Sequence, residues 1–175
     1  MNVFVLCTGR CGSVTFSKAC EHITNYTSGH ESRYRLLGDD RLKYPRRHIE
    51  VDPRLAWYLG PLGKAHASAF YVHLVRDPDK VASSYLRKFE RGSRNVSGFW
   101  YGLLGKPSIP TVEIMTDMVA VMNANIEEYL RDKRHIRIEI EDAKRAFPLF
   151  CSGIGASADL AAACAEFDIH HNLGE

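Results

Sequence analysis

Val3-Phe4-Val5-Leu6-Cys7-Thr8-Gly9-Arg10-Cys11-Gly12-Ser13-Val14-Thr15 is the stretch whose reading decides the fold. Val3 to Cys7 is a continuous apolar run without alternation, the pattern of a strand buried on both faces of a parallel sheet. Thr8 to Ser13 breaks that run with two glycines, and a helix is predicted from Val14 to about His22. A buried strand that turns through glycine into a helix leaves the unpaired N–H groups of the helix start, with their partial positive charge, at the strand tip. Such a tip binds anions. Arg10 adds a full charge on a planar fork, Ser13 and Thr15 add hydroxyls, and Cys11, Gly12 and Val14 supply backbone around them.

The turn is distinct from two familiar phosphate loops. A Walker loop ends Gly-Lys-Ser/Thr, but Gly12 is followed by Ser13 and the next lysine is Lys18. The tyrosine-phosphatase loop needs an arginine six residues after its cysteine, where Cys7 reaches Ser13 and Cys11 reaches Ser17.

Working outward, Ala69 to Val75 (AFYVHLV) is the second buried strand. Asp77-Pro78 after it is a helix start, with Asp as N-cap and Pro at the first helical position, and the helix is predicted to about Arg91. Arg76 then stands at a strand tip and Ser84 seven residues after the cap, two turns along on the same face, so both can converge on one anion. Lys80 and Arg87 share that face. Either signal alone has a bland reading, an ordinary turn or a capped helix with a solvated basic face. Two anion sites at strand tips of one sheet instead ask for a ligand phosphorylated at both ends of a nucleoside.

The remaining segments fill in an alternating pattern. A short extended piece is predicted at 25–27, a basic irregular loop at 34–47, and a strand at His48 to Val51. Asp52-Pro53 opens a helix that ends at Gly60-Pro61. Residues 92–110 read as a long loop in which Trp100 and Tyr101 are candidates for stacking on a ring. A helix follows over 111–132, a strand over Ile136 to Ile140, and short helices near 142–151 and 158–166. Strands alternating with helices imply a three-layer α/β/α protein with a central parallel sheet. Ligands of such sheets sit at the carboxyl ends of the strands, where both anion sites fall.

Bulk properties narrow the classes. At 175 residues, 45% hydrophobic and 25% charged, the chain suits one domain over 1–175. A net charge of +2 gives no global field for nucleic acid, so anion binding has to come from local groups. Five scattered cysteines without a second Cys/His pair point to free thiols and no metal site. The first apolar run is too short for a signal-peptide core or a membrane span, and a soluble, cytoplasmic protein is expected.

With these pieces in place, the sequence resembles the family of sulfotransferases that use 3′-phosphoadenosine 5′-phosphosulfate (PAPS). The segments that carry the resemblance are VFVLCTGRCGSVTF and YVHLVRDPDKVASSYLR, in which Arg76 and Ser84 are eight apart, together with Gly29-His30-Glu31-Ser32-Arg33. The last is similar to a Gly-x-Glu-Thr-Arg stretch of the tyrosylprotein branch. The likeness spans residues 2–90, and the cytosolic branch's C-terminal Arg-Lys-Gly stretch has no counterpart. It implies the P-loop-NTPase-like sulfotransferase fold, PAPS as co-substrate and PAP as product, and no metal. It also implies the 5′-phosphosulfate on the loop from Arg10 to Thr15, the 3′-phosphate on Arg76 and Ser84, and Glu31 as the base that activates an acceptor hydroxyl, with Arg33 beside it. His30 stands as a rival base. His48, Glu50 and Asp52 are read as structural or acceptor-contacting, and His170 and His171 as surface residues. The acceptor, a small molecule, carbohydrate or peptide, stays open, as does the oligomeric state. A nucleotide or small-molecule kinase and a non-catalytic nucleotide-binding module are the alternatives.

Overall fold

The computed structural model describes residues 1–91, 105, 111–169 and 171. Five strands, β1 (Val3–Leu6), β2 (Thr27–His30), β3 (His48–Val51), β4 (Phe70–Val75) and β5 (His135–Glu139), form one sheet in the order β2-β3-β1-β4-β5. Every pairing is parallel. The helices are α1 (Ser13–Glu21), α2 (Leu59–Ala65), α3 (Pro78–Glu90), α4 (Val112–Leu130), α5 (Ala143–Ile154) and α6 (Leu160–Ala165). Short 3₁₀ turns occupy Gly38–Leu42, Pro53–Trp57, Ile140–Asp142 and Glu166–Asp168.

The unbroken apolar run of β1 is explained by its central place, since strict alternation sends its side chains into two cores. Val3 and Val5 pack with Phe16, Ala19 and Cys20 of α1 and with Phe147 and Phe150 of α5. Phe4 and Leu6 pack on the other face with Leu55, Leu62 and Tyr71 and with Ile126 and Leu130 of α4. A third cluster joins Val81 and Ala82 of α3 to Met115, Met118, Val119 and Met122 of α4. The result is the expected α/β/α layering, with each fully buried side chain of this size contributing about 1.5–3 kcal/mol. All five cysteines are free thiols. No helix among the described residues is long and apolar enough to cross a membrane.

From β1 the chain goes out to β2, returns through β3 at its side, and only then crosses to β4 on the opposite side. The direction of winding therefore reverses between β1 and β4, and the carboxyl ends of those two strands open the crevice where such sheets bind ligands.

Several predicted elements shift. The extended piece at 25–27 is the edge strand Thr27–His30, which exists through its pairing with β3 and places Gly29 and His30 within the sheet. Asp52 caps a 3₁₀ turn by accepting from the Arg54 N–H. The predicted stop at Gly60-Pro61 is instead the first turn of α2, where proline is tolerated because its missing N–H would have had no helical partner. The loop at 34–47 contains a 3₁₀ turn and buries Arg41, Leu42 and Tyr44. Trp100, Tyr101 and His170 lie outside the described residues.

One buried group gives the fold a pH response. His73 of β4 is 1% exposed; its Nε2 is 3.2 Å from Asn123 Oδ1, with the Glu127 carboxylate 3.9 Å from Nδ1. Burial outweighs those partners and holds its pKa below the ordinary 6.5. The unfolded chain then binds the proton more readily than the folded one. The stability from keeping His73 neutral is present above pH 6.5 and is lost as pH falls toward the folded pKa. Urea titrations from pH 7.5 down to 5 are expected to show falling stability, with a shallower fall in His73→Gln; an unchanged slope in the variant would assign the loss to other groups.

Candidate nucleotide and acceptor site

The loop after β1 is built on left-handed backbone, with φ of 79° at Gly9, 55° at Arg10 and 85° at Gly12. Gly9 lies under the Tyr85 ring, whose hydroxyl donates to the Thr8 carbonyl, so the strand exit is pinned from α3. A Cβ on Gly12 would come 2.5 Å from Cγ1 of Ile140. Gly12→Ala thus faces both a positive φ and a clash. It is expected to cost about 1–3 kcal/mol, read as a lower urea midpoint at unchanged m-value.

Inside the loop, Cys7 and Cys11 are neighbours and both are fully buried. The neighbouring Cys7 thiol and the backbone N–H groups around it lower the Cys11 pKa, while Cys11 and burial push Cys7 up. Gly12 caps α1 without a side-chain hydrogen bond, and its carbonyl accepts from Phe16 at 2.9 Å. Among the described residues no backbone carbonyl accepts from Ser13, Val14 or Thr15 in a turn or cap, and their positions at the helix start leave their N–H groups outside the intrahelical ladder.

The second candidate anion site adjoins the first. Asp77 caps α3 by accepting from the Lys80 N–H at 3.0 Å. Arg10 Nε donates to Ser84 Oγ at 3.0 Å, and Arg76 donates to the Arg10 carbonyl at 3.1 Å. The sequence placed Arg76 and Ser84 on one anion and Arg10 on another; in the structure Arg10 links the two. Lys80 and Arg76 share the Glu141 carboxylate, at 3.1 and 4.0 Å.

These groups line a cleft of about 620 Å³ that, among the described residues, carries six Lys and Arg residues, Arg10, Arg76, Lys80, Arg87, Lys88 and Arg91, and one carboxylate, Glu141. Ser13, Val14 and Thr15 form its floor, and Ile140, Phe167 and Ile169 give it an apolar wall. Lys80, Ser84, Arg87, Lys88 and Arg91 follow helical spacing, so one face of α3 is a basic stripe. Sequence reasoning missed Lys88 and Arg91, although their spacing from Ser84 was the available signal. The apolar wall comes from residues remote in sequence and had no such signal. His171, read as a surface residue, pairs with Glu166 at 2.7 Å and lines the same cleft.

The acceptor-side candidates divide. His30 Nε2 lies 3.2 Å from Ser13 Oγ, so the end of β2 touches the start of α1 beside the loop after β1. Glu31 follows at φ 50°, and its N–H donates to the Val51 carbonyl at 3.0 Å. Its Oε2 is ion-paired with Arg54, whose guanidinium lies 4.6 Å over the Tyr34 ring. Arg33 is not brought to the site; it donates to the Asp40 carbonyl at 2.9 Å and stacks on Tyr44. Arg54, next to a cap-and-proline signal that drew attention elsewhere, is the cation beside Glu31 that sequence reasoning assigned to Arg33. Among the described residues no group of three or more His, Cys, Asp or Glu is placed to hold a metal ion.

No family model and no curated protein matches the chain. Its architecture is the sulfotransferase fold: a five-stranded parallel sheet flanked by helices. Among solved structures, that of mouse sulfotransferase SULT7A1 complexed with PAP superposes on it with a TM-score of 0.63 at 14% sequence identity. The match covers 95% of this chain and 63% of that one, so the chain spans less than two thirds of its neighbour's length.

Proposed function

We propose that the chain is a PAPS-dependent sulfotransferase, a single domain over 1–175 working in the cytoplasm on an acceptor that bears a hydroxyl. The observation that carries this reading is the 3.0 Å bond from Arg10 to Ser84, which joins two strand-tip anion sites within one basic cleft. Its size falls within the range of small-molecule pockets, and a nucleotide with phosphates at both ends of its sugar matches the two sites.

In this reading Arg10, Ser13 and the N–H groups of Cys11 to Thr15 stabilise negative charge on the departing phosphate oxygen as the sulfuryl group leaves in line. Arg76 and Ser84 hold the 3′-phosphate and fix the nucleotide's register. Glu31, whose Oε2 is paired with Arg54, takes the proton of the acceptor hydroxyl. His30, against Ser13, donates toward the same phosphosulfate. Positioning and fixed charge supply the catalysis. The structure of the mouse sulfotransferase complexed with PAP supports the choice of nucleotide by analogy of fold.

Calorimetry with PAP, followed by transfer from sulfur-labelled PAPS to a panel of phenols, sugars and peptides, tests the proposal. Binding and transfer without magnesium or ATP are expected. Binding without transfer to any acceptor would make the chain a nucleotide-binding module, and phosphate transfer from magnesium–ATP would make it a kinase.

A further inference from the structure

β3 and the residue that follows it carry three ionisable side chains at alternate positions, His48, Glu50 and Asp52, with exposures of 6%, 0% and 0%. The adjoining face of β1 carries Phe4, in register with Glu50, and Leu6. A row of apolar side chains would suit that layer at least as well, because burying charge costs several kcal/mol per ion before pairing offsets it. Each member of the row is instead fully engaged. His48 Nδ1 is 2.8 Å from Thr27 Oγ1, and its Nε2 is 2.9 Å from Glu50 Oε2. Glu50 Oε1 accepts from the Ser32 N–H at 2.7 Å, and Oε2 accepts from the Ser32 hydroxyl at 2.6 Å. Asp52 is ion-paired with buried Arg41 and accepts from the Arg54 N–H at 2.8 Å. The row therefore ends on the two residues that flank Glu31: its chain neighbour Ser32 and its ion-pair partner Arg54.

We propose that Glu50 is a positioning residue whose buried carboxylate clamps Ser32 and so fixes the turn that presents Glu31 toward the acceptor. This rests on the reading of Glu31 as the base. Two features of the turn acquire a reason from the clamp. Glu31 is a non-glycine residue at φ 50°, a conformation of higher energy that persists only when its surroundings hold it. Gly29 is needed because a Cβ there would lie 2.9 Å from Glu50 Oε2 and 3.1 Å from the Ser32 Cβ. The Gly-His-Glu-Ser order thus makes room for a carboxylate from β3, sends His30 to the phosphate loop, turns out the base, and returns a serine to the clamp. Burial raises the Glu50 pKa, but His48 and the two bonds from Ser32 outweigh it, and the carboxyl stays below its ordinary value. The clamp is an anion at neutral pH.

The test is a set of variants assayed for PAP affinity and for turnover with saturating PAPS and the best acceptor from the panel. Glu50→Gln keeps the shape and removes the charge. It is expected to lower kcat roughly 10- to 100-fold, the cost of a small misplacement of a catalytic group, with PAP affinity within about twofold of the parent. Made on top of Glu31→Gln, it is expected to lower the residual rate by less than about twofold, because the group it positions is already gone. Equal losses in both backgrounds, or an unchanged kcat, would overturn the role of Glu50 while leaving Glu31 as the base. Full turnover by Glu31→Gln alone would remove the base and the clamp's purpose together. If Glu50→Gln does not fold, Gly29→Ala, which leaves Glu50 in place and crowds its carboxylate, is expected to give the same pattern in the same two backgrounds.

Discussion

Glu31→Gln is expected to bind PAP as the parent protein does and to transfer sulfate about 10²- to 10⁴-fold more slowly, the range a general base contributes. The carboxamide keeps the size of the side chain and can still lie against Arg54, so the turn and the cleft should persist. What it loses is a site for the acceptor proton. In the proposed arrangement the nucleotide sits on the loop that His30 touches through Ser13, while Glu31 is paired with Arg54, and this is why affinity and turnover should separate. The rival is His30 itself. An enzyme in which Glu31→Gln keeps full turnover and His30→Gln loses it would move the base one residue along. Losses in both, with PAP affinity weakened only by His30→Gln, would match the roles assigned here: His30 at the phosphosulfate and Glu31 at the acceptor.

How much of this was legible in the chain depends on how local each signal is. The β1–loop–α1 unit could be read because a buried parallel strand and a glycine turn are written in consecutive residues, and the same holds for Arg76, the Asp77-Pro78 cap and Ser84. Edge strand β2 was displaced by two residues because Thr-Ser-Gly-His has no apolar pattern and owes its conformation to β3. Arg54 and Glu50 were missed as partners of the Glu31 turn for a related reason. Their meaning lies in which strand faces which: nothing around Asp52-Pro53 says that its neighbour reaches back to residue 31, and a buried Glu50 looks in sequence like any strand carboxylate. Arg33 was assigned to the site by its place in a motif, and the Tyr44 ring drew it elsewhere. The basic stripe along α3 falls between these cases, since its spacing was readable and its direction, into the cleft, was not.

Arg76→Ala is expected to weaken PAP about 10- to 100-fold, the loss of about 1.5–3 kcal/mol from a charge-assisted bond to an anion, while AMP, which lacks the 3′-phosphate, should lose far less. The comparison matters because Arg76 does two things in the free protein. Its guanidinium donates to the Arg10 carbonyl, and it sits 4.0 Å from Glu141, which Lys80 also holds. If support of the loop were its main contribution, both nucleotides would weaken together, because both place a 5′-phosphate on that loop. If reading the 3′-phosphate is its contribution, the preference for PAP over AMP collapses and the AMP affinity stays near that of the parent. Ser84→Ala should shift the preference the same way by less, as a neutral hydroxyl makes the weaker bond and its loss also frees Arg10 Nε for the ligand. Salt provides a second readout. Each cation–phosphate contact is screened, so PAP affinity in the parent should fall as ionic strength rises, and the fall should be shallower in Arg76→Ala. An Arg76→Ala protein with unchanged affinity and unchanged salt dependence would show that the second strand tip does not bind the nucleotide, and the cleft would then lose its reason for holding a ligand phosphorylated at both ends.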